Sequence, residues 1–125
     1  MTRVLLDTHT ILWWLADDPA LSPTARATIG KGSNEVLVSS ASVWEIAIKR
    51  SLGKLSAPDG LLASISEDGL VFLAVTPWHA WRAGELPWHH RDPFDRLLAA
   101  QALSEGIPLV TADPRFGPSG VGVLW

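Results

Sequence analysis

A single-domain, three-layer α/β/α sandwich on a mainly parallel sheet is predicted for this 125-residue chain, and three features carry the expectation. Short runs of branched apolar residues alternate with segments of helical length, as in βαβ units. Those runs are apolar throughout instead of alternating with polar residues, as in strands covered on both faces. Hydrophobic residues make up 47% and charged residues 18% of the sequence, which suits one globular unit, residues 1–125, with a real core.

The first strand is read at Val4-Leu5-Leu6, closing on Asp7-Thr8. The apolar stretch Thr8 to Ala16 has helical length, and Asp17-Asp18-Pro19 stops it. Ser22-Pro23 reads as an N-cap followed by proline in the first turn, opening a helix through Ile29. Gly30 to Asn34 is a turn cluster. Val36-Leu37-Val38 is the second strand, closed by Ser39-Ser40.

A helix follows over Ala41 to Leu52, with Val43, Ile46, Ala47 and the stem of Arg50 on its inner face. Ser42 and Glu45 have capping-box spacing, while Ser39 or Ser40 serves equally well as the cap. Pro58 opens a helix carrying Leu61, Leu62 and Ile65, which ends at Gly69. Leu70 to Val75 is the third strand, and Pro77 starts a short helix with Trp78, Trp81 and Arg82. The strongest helix runs from Pro93 to Glu105, with Asp92 as N-cap and Asp95 in the first turn, where the helix dipole favours an anion. Pro108 to Val110 is the fourth strand, closing on Thr111-Ala112-Asp113, and Val121 to Leu124 is the last.

Composition narrows the function. A net charge of -3 does not match the basic footprint of a general nucleic-acid binder. No apolar run reaches the roughly 18 residues of a membrane span. Only Arg3 precedes the first apolar run and Asp7 interrupts it, so no signal peptide is expected. The absence of cysteine excludes thiolate metal sites and suits a cytoplasmic protein.

Four carboxylates recur at equivalent places. Asp7 ends the first strand and Glu45 lies early in the helix after the second. Asp95 opens the helix before the fourth strand, and Asp113 follows that strand. In a parallel sheet all four meet at the carboxyl edge, where α/β folds bind ligands. Each has a plain structural reading: Asp95 as a first-turn acid, Glu45 as a capping acid paired with Lys49, and Asp113 as a turn residue before Pro114. Asp7 has none, because an apolar strand running into a carboxylate has no packing reason. Hard oxygen donors without His or Cys suit Mg²⁺ or Mn²⁺, and neighbouring carboxylates raise one another's pKa.

The residues resemble the PIN-domain ribonucleases, and within them the VapC-type toxins of toxin–antitoxin pairs. The matching stretches are Leu5 to His9, Ser39 to Lys49, His90 to Ala102 and Leu109 to Asp113, in order along nearly the whole chain. The resemblance implies a five-stranded parallel sheet and a Mg²⁺- or Mn²⁺-dependent endoribonuclease with metal ligands at Asp7, Glu45, Asp95 and Asp113. Asp7 would be the central ligand with Asp95 beside it, and Glu45 would orient or activate the attacking water. Asp113 would bind through water or hold a second ion, while Thr8 and Thr111 would orient carboxylates. The partners implied are RNA, a small VapB-like antitoxin and a second copy of the chain.

Lys49, Arg50, Lys54, Arg91, Arg96 and Arg115 flank the acidic motifs as a basic rim for phosphates, and the resemblance implies that Arg96 is also where an antitoxin would compete. The four histidines read as structural. Trp13, Trp14 and Trp44 are expected in the core; Trp78, Trp81 and Trp88 are expected as one cluster, more an interface than a stacking platform for bases. Rival readings are a PIN nuclease of RNA processing, one acting on DNA, and a non-catalytic module whose acids hold a basic partner. A receiver-like phosphoacceptor wants an Asp at the end of the third strand, and Leu70 to Val75 has none.

Overall fold

The first strand, β1 (Arg3–Leu6), lies at the centre of the sheet, and its residues face both ways. Val4 and Leu6 point into one core with Ile11, Ala25, Ile46 and Ile65, while Leu5 points into a second with Leu98, Ala99, Leu109 and Phe116. This is the period-2 alternation of a strand with both faces covered, which is why the run carries no polar residue. Full burial of each such side chain stabilises the fold by about 1.5–3 kcal/mol.

The computed structural model describes residues 1–125. After β1 come α1 (Thr8–Leu15), α2 (Pro23–Gly30), β2 (Glu35–Ser39), α3 (Ser40–Ser51) and α4 (Leu61–Glu67). The chain continues through β3 (Val71–Leu73), α5 (Pro77–Glu85), α6 (Pro93–Glu105), β4 (Leu109–Val110), a 3-10 segment Pro114–Ser119 and β5 (Val123–Leu124). All five strands are parallel, in the order β3-β2-β1-β4-β5. The chain therefore moves outward from β1 to β3, then crosses back to start again on the other side of β1. The reversal opens a crevice at the carboxyl ends of β1 and β4.

Local signals explain most boundaries. Ser22 caps α2, accepting from Ala25 N at 3.0 Å, with Pro23 in its first turn. Thr76 and His79 form a reciprocal capping box at the start of α5. Asp92 caps α6, and Gly106 ends it at φ 66°, a left-handed conformation that glycine adopts without a Cβ clash.

Several elements differ from the sequence reading. Helix α4 begins at Leu61, not Pro58, because Leu61 N bonds back to Pro58 O in a turn and Gly60 offers no side-chain cap. Strand β3 shrinks to Val71–Leu73, an exposed edge that pairs only with Leu37–Ser39. Helix α3 turns Ala41, Ser42, Glu45 and Ile46 inward, so Ala47 lies outside. Trp44 is consequently 59% exposed instead of buried, with its ring edge-on to Phe94 at 5.2 Å. The expected tryptophan cluster is split: Trp88 is buried against Phe116, whereas Trp78 and Trp81 are 80% and 71% exposed on α5.

Arg96 is the largest departure. Its guanidinium does not stand at the rim but points back into the segment joining α5 to α6. Nε donates to Ala83 O at 2.8 Å, Nη1 to Trp88 O at 2.6 Å and His90 O at 3.0 Å, and Nη2 to Leu86 O at 2.8 Å. Its donors are spent on carbonyls instead of facing outward to a phosphate or an antitoxin, and they fold the loop that carries His90. Arg96→Lys, which keeps the charge but loses the planar fork, is expected to lower the unfolding free energy by about 2–3 kcal/mol. Urea denaturation checks this as a fall in midpoint at unchanged slope.

Candidate functional site

At the crevice, Asp7, Glu45, Asp92, Asp95 and Asp113 line one small pit of about 60 Å³, with Thr8, His9, Lys49 and Arg115 around them. Two of the acids come from the strand ends flanking the switch point: Asp7 follows β1 and Asp113 follows β4. Glu45 projects from the second turn of α3, and Asp92 and Asp95 from the start of α6. The four acids picked from sequence are thus brought together, and Asp92 joins them at the wall.

Each carboxylate has its own donors. Asp7, 6% exposed, caps α1: Oδ1 accepts from Thr10 N at 2.8 Å and Oδ2 from the Thr111 hydroxyl. The same Thr111 Oγ1 accepts from Asp113 N at 3.0 Å, tying the ends of β1 and β4 together. Glu45, 4% exposed, accepts from Thr8 Oγ1 at 2.6 Å through Oε1 and from Lys49 Nζ at 2.6 Å through Oε2. Ser42 Oγ lies 3.0 Å from the Thr8 hydroxyl. Asp92 Oδ1 accepts from the N–H groups of Phe94 and Asp95 at 2.9 and 3.1 Å. Its role is the N-cap read from the sequence.

Two contacts were not foreseen as such. His90 Nε2 lies 2.6 Å from Asp95 Oδ2, and Arg115 grips Asp113 through Nε at 3.1 and 3.0 Å and Nη2 at 2.6 Å. His90 had read as structural. No local sequence signal marks the His90 contact: only the folded path of the loop before α6 brings its ring to Asp95.

Electrostatics differ from acid to acid. Burial, as the largest cause, raises the Asp95 carboxyl above the ordinary range, with Asp92 and Glu45 adding to it; the His90 hydrogen bond opposes the rise. The hydrogen bond from Arg115 holds Asp113 below its ordinary value, and the one that Lys49 donates to Glu45 raises Lys49. Repulsion between carboxylates therefore contributes at Asp95, but burial outweighs it.

The donor set fits a hard divalent cation: five carboxylates and no sulfur line a pit that only two full cations share. As the side chains stand, no three His, Asp or Glu groups converge tightly enough to hold an ion. Lys49, His90 and Arg115 instead draw Glu45, Asp95 and Asp113 toward themselves. No helix is long and apolar enough to cross a membrane.

Comparison with known proteins follows this geometry. The sequence matches the PIN domain family over residues 4–117. It is 33% identical to Ribonuclease VapC22 of Mycobacterium tuberculosis (strain ATCC 25618 / H37Rv) over 119 residues, covering 93% of this chain and 91% of the relative. Among solved structures, the fold is similar to a chain of VapBC2 from Rickettsia felis bound to a promoter DNA fragment, with TM-score 0.72, 15% identity and 98% coverage of each chain. It is equally similar to a chain of DNA-bound VapBC from Salmonella typhimurium, with TM-score 0.72, 22% identity, and 99% and 98% coverage.

Replacing His90 with Phe keeps a ring against Trp88, 4.8 Å away, but removes the donor to Asp95. Since that hydrogen bond lowers the Asp95 pKa, His90→Phe is expected to move it further up. Carbon-detected NMR titration of the Asp95 carboxyl in chelator-treated protein reads the shift, and an unchanged or lower midpoint would contradict this assignment.

Proposed function

The chain belongs to the PIN-domain family, with a VapC protein among its relatives, and on that premise we propose that it is a Mg²⁺- or Mn²⁺-dependent endoribonuclease toxin of the VapC type. The observation that carries this reading is the gathering of Asp7, Glu45, Asp95 and Asp113 into one pit at the switch point of the sheet. Asp7, Asp95 and Glu45 would hold the ion, and Asp113 would bind through water or hold a second ion. A bound divalent ion supplies a water of lowered pKa and stabilises charge on the phosphoryl oxygens.

This chain's own residues do the rest. Glu45, fixed by Thr8 and Lys49, orients the attacking water and takes up its proton. Thr111 holds Asp7 in register with β4. Lys49 and Arg115, at the lip of the pit, pair with the phosphates on either side of the scissile bond. The protein acts in the cytoplasm as a homodimer whose contact includes the exposed Trp78 and Trp81 of α5, since aromatic side chains are favoured at interfaces. A small VapB-like antitoxin lies across the groove and silences it.

The test is cleavage of a broad pool of structured RNAs by antitoxin-free protein, with Mg²⁺ and with EDTA, beside Asp7→Asn. Expected are cuts that need the metal and vanish in Asp7→Asn. Folded wild-type protein that cuts nothing in any divalent metal would favour a module whose acids only bind a basic partner. Thr111→Val, which keeps the shape but loses the hydroxyl on Asp7, is expected to lower metal affinity or cleavage about 10–100-fold. Isothermal titration with Mn²⁺ and initial cleavage rates measure it.

A further inference from the structure

Beside the acidic pit runs a trough of about 270 Å³ whose wall includes Asp7, His9, Trp13, Ala112, Asp113 and Pro114. It shares Asp7, His9 and Asp113 with the pit, so the two are one continuous surface. Their chemistry differs. The pit is carboxylate and cation; the trough has no Lys or Arg, and Trp13, Ala112 and Pro114 complete its wall. It is smaller than the roughly 300–1,000 Å³ of a drug-sized ligand site, which suits a single planar group.

Trp13 is held for such a role. It is half-buried, with Trp125 at 5.8 Å on one flank and the exposed His9 at 5.8 Å on another. Helix α1 presents His9 and Trp13 one turn apart, and the same helix begins at Asp7, its N-cap. The carboxylate and the aromatic surface thus share one rigid element. Their relative position is therefore set by the helix itself.

We propose that this trough seats one nucleobase of a single-stranded RNA, stacked on Trp13 and flanked by His9, next to the phosphate at the acidic pit. The assignment rests on the ribonuclease reading above for the identity of the nucleic acid. Every base offers a π-face, so stacking selects an unpaired, unstacked nucleotide and not a particular letter. A base inside a duplex cannot enter, so this surface favours loops and single strands as substrates.

The test titrates fluorescein-labelled ten-nucleotide RNAs by fluorescence anisotropy in Ca²⁺, each carrying one abasic site moved stepwise along the strand. Wild type, Trp13→Leu and His9→Ala are compared, and cleavage of the same RNAs in Mg²⁺ is followed on gels. One abasic position is expected to weaken wild-type binding roughly tenfold, in the range of a single base–aromatic stack. Trp13→Leu should weaken intact RNA by a similar factor and lose nothing more at that position, as two removals of one contact do. Indifference to abasic placement, an equal Trp13→Leu penalty on every RNA, or no RNA binding would each overturn the seat and leave the trough as a groove for protein. Should Trp13→Leu fail to fold by circular dichroism, His9→Ala, altered only at an exposed side chain, carries the same comparison. Binding and cleavage separate the two readings: the expected binding pattern without cuts sinks the nuclease and keeps the seat, and cuts with a flat pattern do the reverse.

Discussion

The need to meet five carboxylates at one crevice is the constraint on which this structure turns. Two unit charges 4 Å apart cost about 4 kcal/mol at an effective dielectric near 20, and five acids line one pit. Nothing in a hydrophobic core offsets such a cluster, so each charge is met separately. Asp7 takes a backbone N–H and a hydroxyl, Glu45 a hydroxyl and an ammonium, and Asp92 two backbone N–H groups. Asp113 takes a guanidinium. Asp95 has only His90 at hydrogen-bonding distance, with Arg115 Nη2 at 3.9 Å, and its carboxyl is the one pushed upward. The acid with the fewest donors is thus the one whose carboxyl is raised, with burial as the largest cause.

Topology decides that the acids meet at all. Because the chain returns to the far side of β1 after β3, the ends of β1 and β4 become neighbours although Asp7 and Asp113 are 106 positions apart in sequence. Thr111 then bonds to both, accepting from Asp113 N and donating to Asp7. Thr10 adds a second tie by donating to Val110 O at 3.0 Å. The crevice is therefore stitched by small hydroxyls, which leave the carboxylates room. Arg96 does the corresponding work for the loop before α6, holding its carbonyls from beneath.

Much of this was legible in the residues, and the failures share a cause. Uninterrupted apolar runs gave β1, β2 and β4, and Asp92-Pro93 gave the start of α6, because those signals are local. The four acids could be gathered on paper because each stands at an element boundary, and a parallel sheet brings such boundaries to one edge. Side-chain direction was not legible. Trp44 reads as core by hydrophobicity, yet α3 turns Glu45 and Ile46 inward, and the position before Glu45 is carried about 100° round the helix from it, away from that face. Arg96 reads as a rim cation because it follows Asp95, but its partners are carbonyls in a loop with no sequence signature. His90 was missed for the same reason, since only the folded path of residues 84–92 brings it to Asp95.

The acids that build the site also build the helices. Asp7 caps α1, Asp92 caps α6 and Asp113 caps the 3-10 segment. A cap carboxylate accepts N–H groups that would otherwise be orphaned, and a negative charge there is favoured by the helix dipole. Stability and chemistry therefore draw on the same residues with the same sign, at least in part. The fold gains from an anion at these positions before any ligand arrives, which offsets some of the repulsion that gathering them creates. It also separates the two roles experimentally. Asn caps a helix about as well as Asp, so at Asp7 the amide keeps the hydrogen bond from Thr10 N while removing the charge. What such a change takes away is chiefly the charge, and the architecture that presents the site is left standing.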